Sequence, residues 1–200
     1  MLQRCSIFIV WLFLVACSPA PELDYLPQDA VILAFGDSLT HGTGAGEGQS
    51  YPQQLARLID RKVVNRGIPG EVSAEGLARL PEVLDEVQPD LLLLCHGGND
   101  ILRTLNMQTM QHNLQQMIDL ARARGVQVVL IGVPKRSLLL REEPLYAELA
   151  EQNAIPLLED VVADVLGEAA LRSDRVHPNA AGYGVMAEQV NQLLRDSGAL

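Results

Sequence analysis

A chain of 200 residues that is 48% hydrophobic and 20% charged has room for one well-filled domain and too much apolar content for disorder. Its 15 Lys+Arg stand against 25 Asp+Glu, a formal charge of −10, and only 4% of its residues are aromatic. A phosphate backbone would meet net repulsion and few stacking surfaces, so nucleic acid is excluded as an expected partner.

The first stretch reads as a targeting segment. Arg4 precedes Ser6–Ala16, an almost unbroken apolar run. At about a dozen residues it is shorter than the roughly 20 of a spanning helix, so residues 1–16 are expected to be an export signal. Leu14-Val15-Ala16-Cys17 resembles the bacterial lipobox, in which cleavage precedes a cysteine that becomes lipidated. Ser18 after it resembles lipoproteins passed on to the outer membrane. The expected location is therefore the cell envelope, on the periplasmic face of the outer membrane, with Cys17 carrying the membrane anchor. Pro19, Pro21 and Pro27 make residues 17–28 an extended tether and leave 29–200 as the domain. Cys5 leaves with the signal, so Cys95 is the sole domain thiol; it reads as a small buried hydrophobe that cannot form an internal disulfide. No Cys-x-x-Cys or His-x-x-x-His spacing supports a metal site, and no motif calls for a cofactor.

From Asp29 onward short apolar runs alternate with helical patterns. Strands are expected at Ala30–Phe35, Lys62–Asn65, Asp90–Cys95, Val126–Val133 and Ile155–Leu158, buried on both faces. Helices are expected at Tyr51–Arg61, Ala74–Val87, Met107–Arg124, about Pro144–Asn153 and about Asn179–Arg195, with Ser50 a helix start and Gly125 a helix stop. Five β-α units imply a three-layer α/β/α sandwich around a five-stranded parallel sheet. Ligands of such sheets bind beyond the carboxyl ends of the strands.

Unusual residues collect at those ends. Asp37-Ser38 follows the first run, where a serine hydroxyl at a helix start meets backbone N–H groups, although Asp and Ser there are also ordinary caps. The G-x-S-x-G elbow is absent, since Thr40 stands at the second glycine position. Asn65–Gly70 follows the second run, with a turn whose backbone N–H can face the cleft. His96-Gly97-Gly98-Asn99-Asp100 follows the third, pairing glycines that allow close backbone approach with an uncharged amide donor. Asp174-Arg175-Val176-His177-Pro178 precedes the last helix; its carboxylate can accept from the His177 Nδ1–H and leave Nε2 free to take a serine proton.

Taken in order, Phe35–Thr40, Asn65–Gly70, Gly97–Asp100 and Asp174–Pro178, together with Gly76–Pro81, resemble the blocks of the SGNH (GDSL-type) hydrolase superfamily. The resemblance spans Asp29–Leu200 and is nearest the bacterial thioesterase, lysophospholipase and arylesterase group. It implies a flavodoxin-like fold and an acyl-enzyme on Ser38, with His177 as base and acid and Asp174 as its orienter. It also implies an oxyanion hole of the Ser38 and Gly70 N–H groups and the Asn99 amide. The base works only when neutral, so activity is expected to rise through the neutral pH range.

His41 and His96 are read as cleft-wall or surface residues and His112 as solvated; the resemblance implies an apolar residue at position 96. Asp37 and Asp100 invite a paired-carboxylate reading, but bracing is the simpler role once a serine and a histidine account for the chemistry. The expected substrate is a small ester, thioester or lysophospholipid, with Leu102 and Pro134–Leu140 as acyl-site candidates. A carbohydrate O-acetylesterase using the same residues is the alternative, disfavoured by the few aromatics available to stack on sugar rings. A non-catalytic binding module on the same fold would have no need of Ser38, Asn99 and His177.

Overall fold

A computed structural model describes residues 21–135 and 142–200. Among them, β1 (Val31–Gly36), β2 (Lys62–Gly67), β3 (Leu91–Cys95), β4 (Gln127–Ile131) and β5 (Leu157–Leu158) form one sheet in the order β2-β1-β3-β4-β5. Every pairing is parallel. The chain leaves β1 toward one edge to make β2 and then crosses to the other side for β3, so the strand order reverses between β1 and β3, where α/β sheets bind ligands. Register brings the strand ends level there, with Gly36 beside Gly67 on one flank and beside Cys95 on the other.

Helices cover both faces. Tyr51–Ile59 (α2) packs against Ala180–Asp196 (α8), which also meets Val161–Gly167 (α7). On the opposite face Ser73–Val87 (α3) packs against Met107–Arg122 (α5), and α5 meets Leu145–Asn153 (α6). The expected sandwich is the observed one. Met110, Leu114, Met117, Ile118 and Ala121 are the buried stripe of α5, as their spacing predicts. Ser50 begins α2, its N–H donating to Gln53 Oε1, and Gly125, in the left-handed region at φ +75°, follows the end of α5.

Three expectations need correction. β2 is only partly buried because it is an edge strand, whereas β1, β3 and β4 are sealed. The fifth run shrinks to Leu157–Leu158, because the Ile155 N–H turns back to the Ala150 carbonyl at the end of α6. α7 was not foreseen: Val161, Val162, Ala163, Val165 and Leu166 are all buried, and a helix without a broad polar stripe leaves no periodic signature.

Pro21–Gln28 carries no helix or strand and lies along the amino ends of the strands. The Leu23 and Leu26 N–H groups donate to the Ser197 and Ala199 carbonyls at 2.8 and 2.9 Å, Asp24 N–H donates to Gln127, and Leu26 is 1% exposed.

Candidate active site

Two short helices not anticipated from periodicity open at the strand ends: Ser38–His41 (α1) after β1 and Gly98–Leu102 (α4) after β3. Asp37 caps the first, its Oδ1 accepting from Leu39 N–H at 3.0 Å, which leaves Ser38 on the first turn with its side chain toward the cleft.

The loop before α8 is wound around Asp174. Its Oδ1 accepts from Val176 N–H at 2.8 Å and His177 N–H at 2.9 Å, while Oδ2 lies 2.8 Å from His177 Nδ1. The Ser173 N–H donates to the His177 carbonyl at 2.9 Å and fastens the loop. Since Nδ1 faces a carboxylate, it holds the ring proton, and Nε2 presents a lone pair 3.1 Å from Ser38 Oγ. Partial burial pushes the Asp174 carboxyl up, but the His177 ring and the two backbone donors outweigh it and hold it below the ordinary carboxylate range. The three residues named from Ser38 and Asp-x-x-His are thus in contact.

Gly70 and Asn99 line the same cleft as Ser38 and His177. Gly70 sits at φ +82°, a left-handed conformation that a side chain would strain, and its carbonyl accepts from Arg103 at 2.7 Å. Asn99 Nδ2 donates to the Glu71 carbonyl at 2.9 Å; toward Asp37 Oδ2 it stands at 3.5 Å, at the limit of a hydrogen bond. That second amide hydrogen can therefore serve a stronger acceptor in the cleft. The Gly97–Gly98 pair approaches protein rather than ligand: a Cβ on Gly97 would lie 2.7 Å from Met110, and one on Gly98 3.0 Å from Asp37.

The cleft holds about 560 Å³ and is walled by Leu39, Ile101, Leu102, Val133, Pro134, Val162 and Leu166. Leu102 lines it as expected, as do Pro134 and Lys135 of the second acyl-site candidate, whose residues 136–140 lie outside the described residues. No aromatic side chain lines it among the described residues.

Asp37 and Asp100 brace the loops. Asp37 is buried, which pushes its carboxyl up, partly opposed by His96 and the Leu39 and Gly98 N–H groups. Asp100 accepts from the Ser73 N–H and hydroxyl at 2.8 and 2.6 Å. His41 and His112 are exposed. His96 is neither cleft wall nor surface: it is completely buried, 3.0 Å from Glu71, because a carboxylate and a backbone N–H satisfy both ring nitrogens. Sequence reasoning also passed over Glu71 and Arg79, although Arg79 lies in the Gly76–Pro81 block.

The chain is similar to known proteins over most of its length. Residues 34–185 match the GDSL-like lipase/acylhydrolase family. Esterase TesA of Pseudomonas aeruginosa is 32% identical over 190 residues, covering 90% of this chain and 94% of its own. An arylesterase of Vibrio mimicus is 33% identical over 175 residues, covering 82% and 87%. A crystal structure of TesA superposes with a TM-score of 0.74 at 31% identity, covering 84% of this chain and 99% of that one.

Proposed function

Because the chain belongs to the GDSL-like lipase/acylhydrolase family and is a carboxylic ester hydrolase, we propose that it cleaves aryl esters, acyl thioesters or lysophospholipids through an acyl-enzyme on Ser38. One observation carries the reading: Ser38 Oγ stands 3.1 Å from His177 Nε2, and Asp174 holds the far side of that ring at 2.8 Å.

In this scheme Ser38 Oγ attacks the acyl carbon as its proton passes to His177 Nε2. The carbonyl oxygen takes up the displaced electron pair and is met by the Ser38 and Gly70 N–H groups and the Asn99 amide. Collapse breaks the bond to the leaving oxygen or sulfur, which receives the proton from His177. Water then repeats the sequence on the acyl-serine, giving the carboxylic acid and restoring Ser38. Asp174 stays ionised throughout and steadies the imidazolium at each stage.

The apolar walls, and a lining without an aromatic side chain among the described residues, favour aliphatic and aryl acyl esters over acetylated sugars. Turnover of p-nitrophenyl esters from acetate to dodecanoate tests both points. Hexanoate and longer chains are expected to be accepted. Ser38→Ala is expected to lose at least about a thousandfold in kcat. Undiminished activity in that variant would sink the mechanism, and strict acetate preference would favour the carbohydrate reading.

We extend the proposal to residues 1–20, which lie outside the described residues. Arg4, the apolar run and Leu14–Cys17 support cleavage before Cys17 and lipid attachment to it in the envelope. Radiolabelled palmitate fed to a bacterial host should label the protein, and Cys17→Ala should remain unlabelled. Equal labelling of both would reject the anchor.

A further inference from the structure

Beneath the cleft lies a charged cluster that the proposed chemistry does not use. The Glu71 side chain, 5% exposed, accepts from Arg79 Nε and Nη2 at 2.6 Å each, a bidentate pair. The Arg79 guanidinium lies over the Phe35 ring, its Cζ 3.9 Å from the centroid. His96 completes the cluster. The Gly97 N–H donates to its Nδ1 at 2.8 Å, so that nitrogen is unprotonated, and the ring proton on Nε2 donates to Glu71 Oε2 at 3.0 Å. Burial pushes the Glu71 carboxyl up, but His96 and Arg79 outweigh it and keep it ionised.

A buried ion pair is seldom more stable than well-packed apolar side chains of equal volume, so stability alone is a weak account of this cluster. Its contacts suggest another. Arg79 Nη2 also donates to the Arg66 carbonyl at 2.9 Å and the Gly36 carbonyl at 3.3 Å, near the ends of β2 and β1. Glu71 directly follows Gly70, and its backbone carbonyl receives the Asn99 amide. His96 opens the segment that leads to Asn99 and fixes the Gly97 N–H. Each proposed oxyanion donor therefore sits within a few residues of a group that the cluster holds: Ser38 after Gly36, Gly70 before Glu71, and Asn99 after His96.

We infer that Arg79, Glu71 and His96 are positioning residues, a buried clamp that sets the mutual spacing of the three oxyanion-hole donors. The inference rests on the roles proposed above for Ser38, Gly70 and Asn99. Donors of this kind act only if they already stand where charge develops, so slack in the clamp weakens the transition state and leaves ground-state binding alone. Glu71→Gln keeps the side-chain volume and removes the charge that joins Arg79 to His96. Arg79→Lys keeps the charge and removes the fork.

With p-nitrophenyl butyrate, both variants should lose about ten- to a hundredfold in kcat with KM within about twofold. In an Asn99→Ala background the Glu71→Gln penalty should shrink to about twofold, because the hole is already incomplete. A purely structural role would lower the thermal midpoint, leave kcat of the folded protein unchanged and produce no such coupling. Wild-type kcat in either folded variant, or a penalty undiminished by Asn99→Ala, would overturn the inference. Should neither variant fold, His96→Gln carries the same measurement, and failure of all three to fold would mark the cluster as a folding element and reject the clamp. Loss of activity in Ser38→Ala beside normal kcat in Glu71→Gln would reject the clamp alone. Full activity in Ser38→Ala would reject the mechanism beneath it.

Discussion

Glu142 sets a half-buried carboxylate against the neutral pH range. Its Oε2 has no hydrogen-bond partner among the described residues and is packed so closely against Gly132 that a Cβ there would lie 2.0 Å away. Burial, with Glu159 and then Asp160 adding their charge, pushes its carboxyl up to about 7 from an ordinary 4.5. Between those values the folded chain holds a proton that the unfolded chain has released, so stability falls as pH rises through the window and stays lower above it. Glu142→Gln should remove that fall, giving a higher thermal midpoint than the parent at pH 8 and little difference at pH 4.5. A midpoint lowered equally at both pH values would assign Glu142 an ordinary packing role. Ser38, Gly70, Asn99, Asp174 and His177 were legible in the sequence because each belongs to a short local pattern at a strand or helix boundary. His96 was not. Its burial depends on Glu71, 25 residues away in the chain, and on Arg79 beyond it, and one-dimensional spacing does not report such an encounter.

At the scale of elements, legibility followed burial. The three central strands announced themselves as unbroken apolar runs because both of their faces are covered. The two flanking strands did so less well: β2 mixes Lys62, Asn65 and Arg66 with Val63 and Val64, and β5 is two residues long. Long amphipathic helices were readable to within a few residues at each end. Helices α1, α4 and α7, which carry no periodic signal, are the ones that line the cleft, where shortness or uniform burial erases the 3.6-residue period; of them only the start of α1 was readable, from Asp37-Ser38. The cleft wall was therefore the least readable part of the site. Leu102 was named as one position of it, but Val162 and Leu166 of α7 were not.

For the whole molecule, the strand count and parallel arrangement followed from the alternation of patterns and the handedness of crossovers. The spatial order β2-β1-β3-β4-β5 was not legible in the runs themselves, because nothing in a run states which neighbour it will have. The docked segment Pro21–Gln28 belongs to this scale as well, since it ties the amino ends of the strands to the end of α8. Leu26→Ala should cost about 2–5 kcal/mol in urea unfolding, as expected for truncating a fully buried leucine. Its kcat should stay within about twofold of the parent, because the change lies far from the reacting atoms. A large drop in kcat without a matching drop in stability would show that the two ends of the sheet are coupled. α8 starts two residues after Pro178, beside His177, and its 17 residues carry the chain about 25 Å away before it reaches the segment. A tag, bead or partner domain joined upstream of Pro21 will thus emerge behind the enzyme, and a surface loaded with protein in this way will present its catalytic mouths outward to the passing solution.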